Sequence, residues 1–289
     1  MKLSTNTKRF HDELGLKKTI DILATAGFEA IDFNADLPEY HTDAHDAEFY
    51  REVRTYAAER GIVFTQTHAP FATSFADEEQ TKRRFGEIVT SFRNSALLGA
   101  EMVVVHPCNH ISCRDADGMK RLFSYNLEFY KKLQPYAESC GIKIAIENGK
   151  DFITEKADDI LLLLKELDSK VFTVCFDVGH ANIGGEAPAD MIRRLGKHIG
   201  CLHIHDNDGI LDMHTLPYQG NVDWENVMRA LAESDCNANL SYEAGKFVIN
   251  TPVALRAESA RYMAEIGRHL IGRYDYYKQN EQKCKKNFK

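Results

Sequence analysis

Short apolar runs alternate with longer amphipathic stretches from one end of this chain to the other, and few folds accommodate that rhythm. Strands are predicted at residues 2–5, 30–33, 63–68, 102–106, 142–148, 173–177, 201–205 and 239–243. Helices are predicted over 14–26, 46–60, 77–98, 119–140, 157–167, 188–196, 223–233 and 253–274. Leu16, Ile20, Leu23 and Ala24 recur at helical spacing, as do Leu122, Tyr125, Phe129 and Leu133. Gly27, Gly61, Gly99 and Gly141 each stand just before a strand, where a helix must stop. Eight strand–helix pairs in succession predict an α/β protein with a parallel sheet closed into a (β/α)8 TIM barrel, an open doubly wound sheet being the alternative. A length of 289 residues suits one such domain. No Pro/Gly/Ser-rich linker interrupts it, so residues 1–277 are expected to form the barrel and 278–289 a polar, basic tail.

The later strands carry a finer pattern, because successive side chains point to opposite faces of a sheet. One face reads Ile142, Ile144, Ile146; Phe172, Val174, Phe176; Leu202, Ile204; and Leu240, Tyr242, bulky groups suited to packing against outer helices. The other reads Ala145, Glu147; Thr173, Cys175, Asp177; Cys201, His203; and Asn239, Ser241, Glu243, small or polar and ending in an ionisable group. Such a face fits a barrel interior whose C-terminal rim holds the active site.

The strand ends read in order as His68 in "THAP", His106 in "VVVHP", Glu147 in "IAIEN", Asp177 and His180 in "CFDVGH", His203 in "LHIHD" and Glu243 in "YEAG", with Asp212 and His214 in "DMHTLPYQGNVDW". A divalent cation needs oxygen and nitrogen donors converging within about 2.0–2.6 Å of one point, and a ring of strand ends delivers them. Glu147, Asp177, His203 and Glu243 make a mixed oxygen–nitrogen set suited to Mn²⁺, Mg²⁺, Co²⁺ or Zn²⁺. One ion is expected and up to three are conceivable, with Asp212, His214, His180, His68 and His106 as additional ligands, substrate contacts or orienting groups. Taken singly, a buried histidine is more often a hydrogen-bonded core residue. Carboxylates and imidazoles buried together repel or titrate unless a cation joins them, so the joint pattern favours a metal site. His205, His110, His11, His41 and His45 lack that company and are expected at the surface or behind the ligands. Cys108 is expected to be a packed thiol and Trp224 a core residue, while Phe10, Phe33 and Phe71 are candidates to wall the pocket.

Composition excludes several classes. The 36 Lys and Arg against 43 Asp and Glu leave a formal charge of −7, which gives no electrostatic case for nucleic acid. No apolar run approaches the roughly 18 residues of a membrane span. No secretory segment opens the chain, and seven cysteines without C-x-x-C spacing argue against a disulfide framework, so a cytoplasmic location is expected.

The pieces "GFEAIDF", "THAPF", "VVHP", "IAIEN", "CFDVGHANI", "LHIHDND", "DMHTLPYQGNVDW" and "YEAG" resemble the xylose isomerase-like TIM-barrel superfamily, in particular its sugar phosphate isomerase/epimerase group, whose relatives include endonuclease IV. The resemblance covers nearly the whole chain. It implies one metal held by Glu147, Asp177, His203 and Glu243, the two glutamates also moving protons at a sugar carbon through an enediolate. It further implies substrate contacts from His180, with His68 and His106 also facing substrate. The expected activity is therefore isomerisation or epimerisation of a small sugar or polyol, with pairing into a homo-oligomer common in the group. Endonuclease IV supplies the rival, a zinc-dependent abasic-site nuclease. Its nine ligand positions resemble His68, His106, Glu147, Asp177, His180, His203, Asp212, His214 and Glu243. The loops "NADLPEYHTDAHDAE" and "APFATSFADEEQ" are acidic, however, and do not resemble DNA-penetrating wedges. A third alternative is a non-catalytic sugar- or metal-binding barrel. The chain also departs from ketose 3-epimerases, with Gly209 in place of an arginine and Ile153 in place of an acid.

Overall fold

A computed structural model describes residues 1–111 and 116–287, with side chains to residue 280. Eight strands are formed: β1 (Leu3–Asn6), β2 (Ala30–Asn34), β3 (Val63–His68), β4 (Met102–Val105), β5 (Lys143–Glu147), β6 (Phe172–Asp177), β7 (Ile199–His203) and β8 (Leu240–Tyr242). The α-helices are α1 (Lys8–Leu14), α2 (Leu16–Ala26), α3 (Ala47–Ala58), α4 (Glu78–Leu98), α5 (Ala116–Cys140), α6 (Ala157–Leu167), α7 (Val178–Gly184), α8 (Pro188–Leu195), α9 (Trp224–Glu233), α10 (Gly245–Asn250) and α11 (Arg256–Asn287). One sheet holds all the strands in the order β7-β6-β5-β4-β3-β2-β1-β8. Its two ends bond to each other, Ile204 N donating to Ser241 O at 2.8 Å and Glu243 N to Ile204 O at 3.0 Å, so the sheet closes. The (β/α)8 barrel expected from the alternation is the fold.

Pre-strand glycines end the helices as their spacing suggests. Gly27 and Gly99 adopt φ of 95° and 84°, a left-handed conformation that terminates a helix cheaply only without a Cβ. Asp46 and Asp77 open α3 and α4 by accepting from Phe49 N and Gln80 N, which satisfies donors that a helix start leaves free.

The chain falls into two compact units, Ile31–Cys175 and the combination of Met1–Ala30 with Phe176–Lys289. In the first, β3, β4, β5 and β6 pair in parallel, with Val104 opposite Ala145 and Glu147 opposite Cys175. Val103, Val105, Ile142, Ile144 and Ile146 pack against Leu122, Phe129, Leu133 and Leu163 of the helices, which is the bulky outward face that the period of two predicts. In the second unit, β1 pairs with β8, Thr5 opposite Tyr242. Tyr242 donates from its hydroxyl to Met263 O on α11, and Trp224, Leu231, Leu240 and Leu270 are buried.

Three short helices, α1, α7 and α10, lie where loops were expected. Phe10 and Phe33 are core residues, 0% and 2% exposed, and not pocket walls, whereas Phe71 is half exposed. The helix α11 continues past residue 277 to Asn287; of the predicted tail, residues 288–289 lie outside the described residues. Among the described residues, no helix is long and apolar enough to cross a membrane.

Candidate metal centre

In the Ile31–Cys175 unit, β3 and β5 end in His68 and Glu147, and His106 follows β4 directly. Parallel pairing sets these ends side by side. Glu147 Oε2 lies 3.0 Å from His106 Nε2 and 3.6 Å from His68 Nε2, and the two imidazole nitrogens are 3.1 Å apart. Glu147 is 1% exposed. His68 donates from Nδ1 to Ala69 O at 2.8 Å, which fixes the ring and leaves Nε2 as the lone-pair nitrogen facing the carboxylate.

The second unit holds a larger group. Donor atoms of Asp177, His203 and Glu243 lie within 4.8 Å of one another, as do those of His180, His205, Asp212 and His214. Asp177 also caps α7, its Oδ1 accepting from His180 N at 2.6 Å, so the strand end and the helix start are set by one carboxylate. The short helix then turns His180 Nε2 to 3.5 Å from Asp212 Oδ2. His214 lies on the other side of Asp212 at 2.9 Å and donates from Nδ1 to Glu243 O at 2.8 Å, the arrangement seen for His68.

The segment carrying Asp212 and His214 is organised by a buried acid. Asp206 accepts from Trp224 Nε1 and Tyr218 N at 2.8 and 2.9 Å, and from Asn207 N and Val222 N at 2.9 and 3.2 Å. Four hydrogen bonds to one carboxylate fold the segment back on itself, and Trp224 serves as a core residue with its indole nitrogen satisfied. His214 has φ of 44° and Tyr218 of 73°, backbone conformations that side chains other than glycine rarely adopt and that the surrounding bonds must hold.

Electrostatics follow from this packing. Burial raises the Asp212 carboxyl, but hydrogen bonds to His180 and His214 outweigh it and hold the group well below the usual carboxylate range. Burial lowers His214, yet the bond to Asp212 and the charges of Glu243, Asp212 and Asp177 carry it up to about 9. Asp212 thus stays ionised between two imidazoles whose Nε2 atoms face it. A divalent cation would replace the imidazolium proton in such an arrangement.

His205 is the residue that sequence reasoning missed. It is fully buried, 3.1 Å from Asp177 Oδ1 and 3.6 Å from Asp212 Oδ1, and neither ring nitrogen has a hydrogen-bond partner among the described residues. Buried imidazole nitrogens beside two carboxylates, yet misaligned for hydrogen bonding, fit ligands of an ion. The alternation rule carried the signal, since His203 and His205 are two residues apart on one extended segment and therefore share a face. Gly179 packs so closely on this ring that a Cβ would stand 2.0 Å from His205 Cε1. His41, also expected at the surface, is buried and donates to Ala35 O. Cys108 is fully buried, and burial pushes its thiol up to about 12, which suits packing and not nucleophilic attack.

Residues 20–266 match the model of the family described as xylose isomerase-like TIM barrel. An uncharacterized protein of Sinorhizobium fredii is 26% identical over 264 residues, covering 82% of this chain and 83% of its own. A D-psicose 3-epimerase of Enterocloster bolteae is 24% identical over 229 residues, covering 75% of this chain and 72% of its own. Among solved structures, the IOLI protein with a binding zinc atom aligns with a TM-score of 0.77 at 21% identity, covering 96% of this chain and 99% of that one, a likeness of fold.

Proposed function

Because the chain belongs to the xylose isomerase-like TIM-barrel family, we propose that it is a metal-dependent isomerase or epimerase of a small sugar or polyol. The observation that carries this reading is the convergence of Asp177, His203 and Glu243 donors, with buried imidazole nitrogens beside them at His205. Glu147 joins that set on the strength of the family resemblance, and its strand pairs with the strand that ends in Asp177. Support comes also from a relative named as a D-psicose 3-epimerase and from a protein of like fold with a bound zinc atom.

A divalent cation at these four residues would acidify the C–H bond beside a substrate carbonyl and stabilise the charge that develops on oxygen. The chain itself supplies the proton transfers. In this reading Glu243 and Glu147 take a proton from carbon and return it, to a neighbouring carbon or from the opposite face. His180, held by the Asp177 cap, donates to a substrate oxygen, and His68 and His106 orient the substrate. Asp212 and His214 position His180 and the Glu243 backbone.

Elemental analysis of protein purified without chelator, followed by solvent deuterium exchange with ketoses and polyols, tests this reading. The expected result is about one Mn, Mg, Co or Zn per chain and exchange at a substrate carbon that Glu243→Gln abolishes. Exchange that persists in both Glu243→Gln and Glu147→Gln removes these residues from the chemistry. One observation favours a second reading: the His180–His205–Asp212–His214 group offers ligands beyond the four needed for a single ion. Two to three zinc ions per chain with cutting of abasic-site duplex would replace the isomerase with a nuclease.

A further inference from the structure

The segment that follows β3 keeps polar side chains inside and leaves an aromatic ring outside, the reverse of an ordinary surface loop. From Gln66 to Phe75, the buried side chains include His68, Thr73 and Ser74, and Phe71 alone is exposed, at 51%. Single exposed apolar residues are common and need no function. Phe71 differs from them in its anchorage and in its neighbour.

The backbone is tied down on both sides of the ring. Ala69 N donates to Val104 O and Phe71 N to Asp36 Oδ1, each at 2.9 Å. Just beyond, the Arg84 guanidinium donates to Ala72 O at 2.5 Å, Thr73 Oγ1 to His106 O at 2.9 Å, and Phe75 N to Thr81 Oγ1 at 2.8 Å. These bonds reach β4, the turn after β2, the residue that follows β4, and α4, so the ring is presented on a fixed frame. Its neighbour is His106, whose ring centroid lies 4.8 Å away with the planes at 63°. His106 Nε2 in turn faces Glu147 Oε2 at 3.0 Å. A single contact at that angle leaves at least one face of the phenyl ring open. An apolar face therefore stands one side chain away from a carboxylate to which the proposed chemistry gives a proton transfer.

Such a face offers hydroxyl groups only a weak partner. What it matches is a patch of C–H bonds, whose hydrogens are slightly positive against the negative face of the ring and which leave water on contact. An open-chain polyol carries a hydroxyl on nearly every carbon and turns about each bond. It gathers no such patch and must freeze several rotors to bind. A six-membered ring with equatorial hydroxyls already directs its axial C–H bonds to its faces and its hydroxyls to its edge. We propose that Phe71 is the stacking platform of a subsite that selects a ring-closed sugar or polyol over an open chain. The proposal rests on the isomerase reading for the ligand being a sugar or polyol, and on the anchored ring and its contact with His106 for the platform.

Calorimetry on the full-length protein supplemented with Mn²⁺ tests it with 1,5-anhydro-D-glucitol and D-glucitol, which share six carbons and their configuration and differ in that the first is locked as a ring. The ring is expected to bind about tenfold or more tighter. Phe71→Ala should lower affinity for the ring about tenfold and leave that for D-glucitol within about twofold, with metal content and urea midpoint unchanged because half the side chain already lies in water. Phe71→Trp should keep the preference. The chain's single tryptophan, Trp224, is buried, so a change of emission when the ring is added to Phe71→Trp reports the new indole. No binding of the ring, equal affinities for the two ligands, a preference that survives Phe71→Ala, or unchanged emission from Phe71→Trp at saturation overturns the proposal. Solvent deuterium exchange with the ring-locked ketone 1,5-anhydro-D-fructose and the open-chain L-erythrulose separates the two ideas. Ring preference without exchange keeps the platform and removes the isomerase, whereas exchange without ring preference does the reverse.

Discussion

The two imidazole–carboxylate clusters use the same side chains on different foundations. In the Ile31–Cys175 unit, His68, His106 and Glu147 stand at or just beyond strand ends, and parallel pairing alone fixes their spacing. Their side chains are nearly sealed, at 8%, 13% and 1% exposure. In the other unit, Asp212 and His214 ride on the segment between β7 and α9, and Asp212 is 41% exposed. Here the geometry depends on Asp206, four hydrogen bonds and two left-handed backbone positions. A sheet holds a donor by its ladder, which is shared with the whole fold. A loop holds one by a few local bonds, and these can change without unfolding the molecule. The strand-built cluster suits a role that tolerates little displacement, and the loop-built one a role that admits adjustment around different substrates.

The largest effect should appear when each cluster loses its central carboxylate. Glu147→Gln keeps the shape and removes the charge between two imidazoles, so deuterium exchange should fall by about 10³-fold with the fold intact. Asp212→Asn removes an orienting group and should cost about 10- to 100-fold. Equal losses in the two variants would break the distinction, because the loop cluster would then be as intimate with the chemistry as the sheet cluster.

Stability separates the regions next. Asp206→Ala leaves the indole N–H of Trp224 and three backbone donors without their acceptor, and the cost should reach about 3 kcal/mol or more in urea unfolding. Limited proteolysis should open the segment between residues 206 and 222 before any cut near β3–β5. Cleavage that begins in the strand-built region instead would show that the loop is held by something other than Asp206.

What the sequence disclosed divides along the same line. Strand ends were legible because alternation labels each side chain's face, and the last ionisable residue of each strand marks the rim; Glu147, Asp177 and His203 follow directly. Loop chemistry was less so. Asp206 reads as one more acid in "LHIHDND", and only the fold shows four donors turned toward it. His205 was set aside for want of ionisable company in the sequence, although the period of two puts it on the same face as His203. The helices α1, α7 and α10 span fewer than two turns, too short for a 3.6-residue pattern to register.

The smallest effect sharpens the comparison most, because it sets like against like. Gly149 follows Glu147 in the strand-built region, and a Cβ there would come within 2.7 Å of the Phe152 ring. Gly179 follows Asp177, and its Cβ would come within 2.0 Å of His205 Cε1 and 2.4 Å of its Nδ1 and Nε2. Phe152 is only partly buried and can swing outward, so Gly149→Ala should cost below about 1 kcal/mol. The His205 ring is enclosed on all sides and cannot move without leaving Asp177 and Asp212. Gly179→Ala should therefore cost about 1–3 kcal/mol in urea unfolding. It should also lower the metal content per chain, a change that overpacking remote from the ligands would not produce. A Gly179→Ala protein that is destabilised yet keeps its full metal content would place His205 in the core as a packing residue. Loss of metal at modest cost in stability would make it a ligand that the close approach of Gly179 exists to admit.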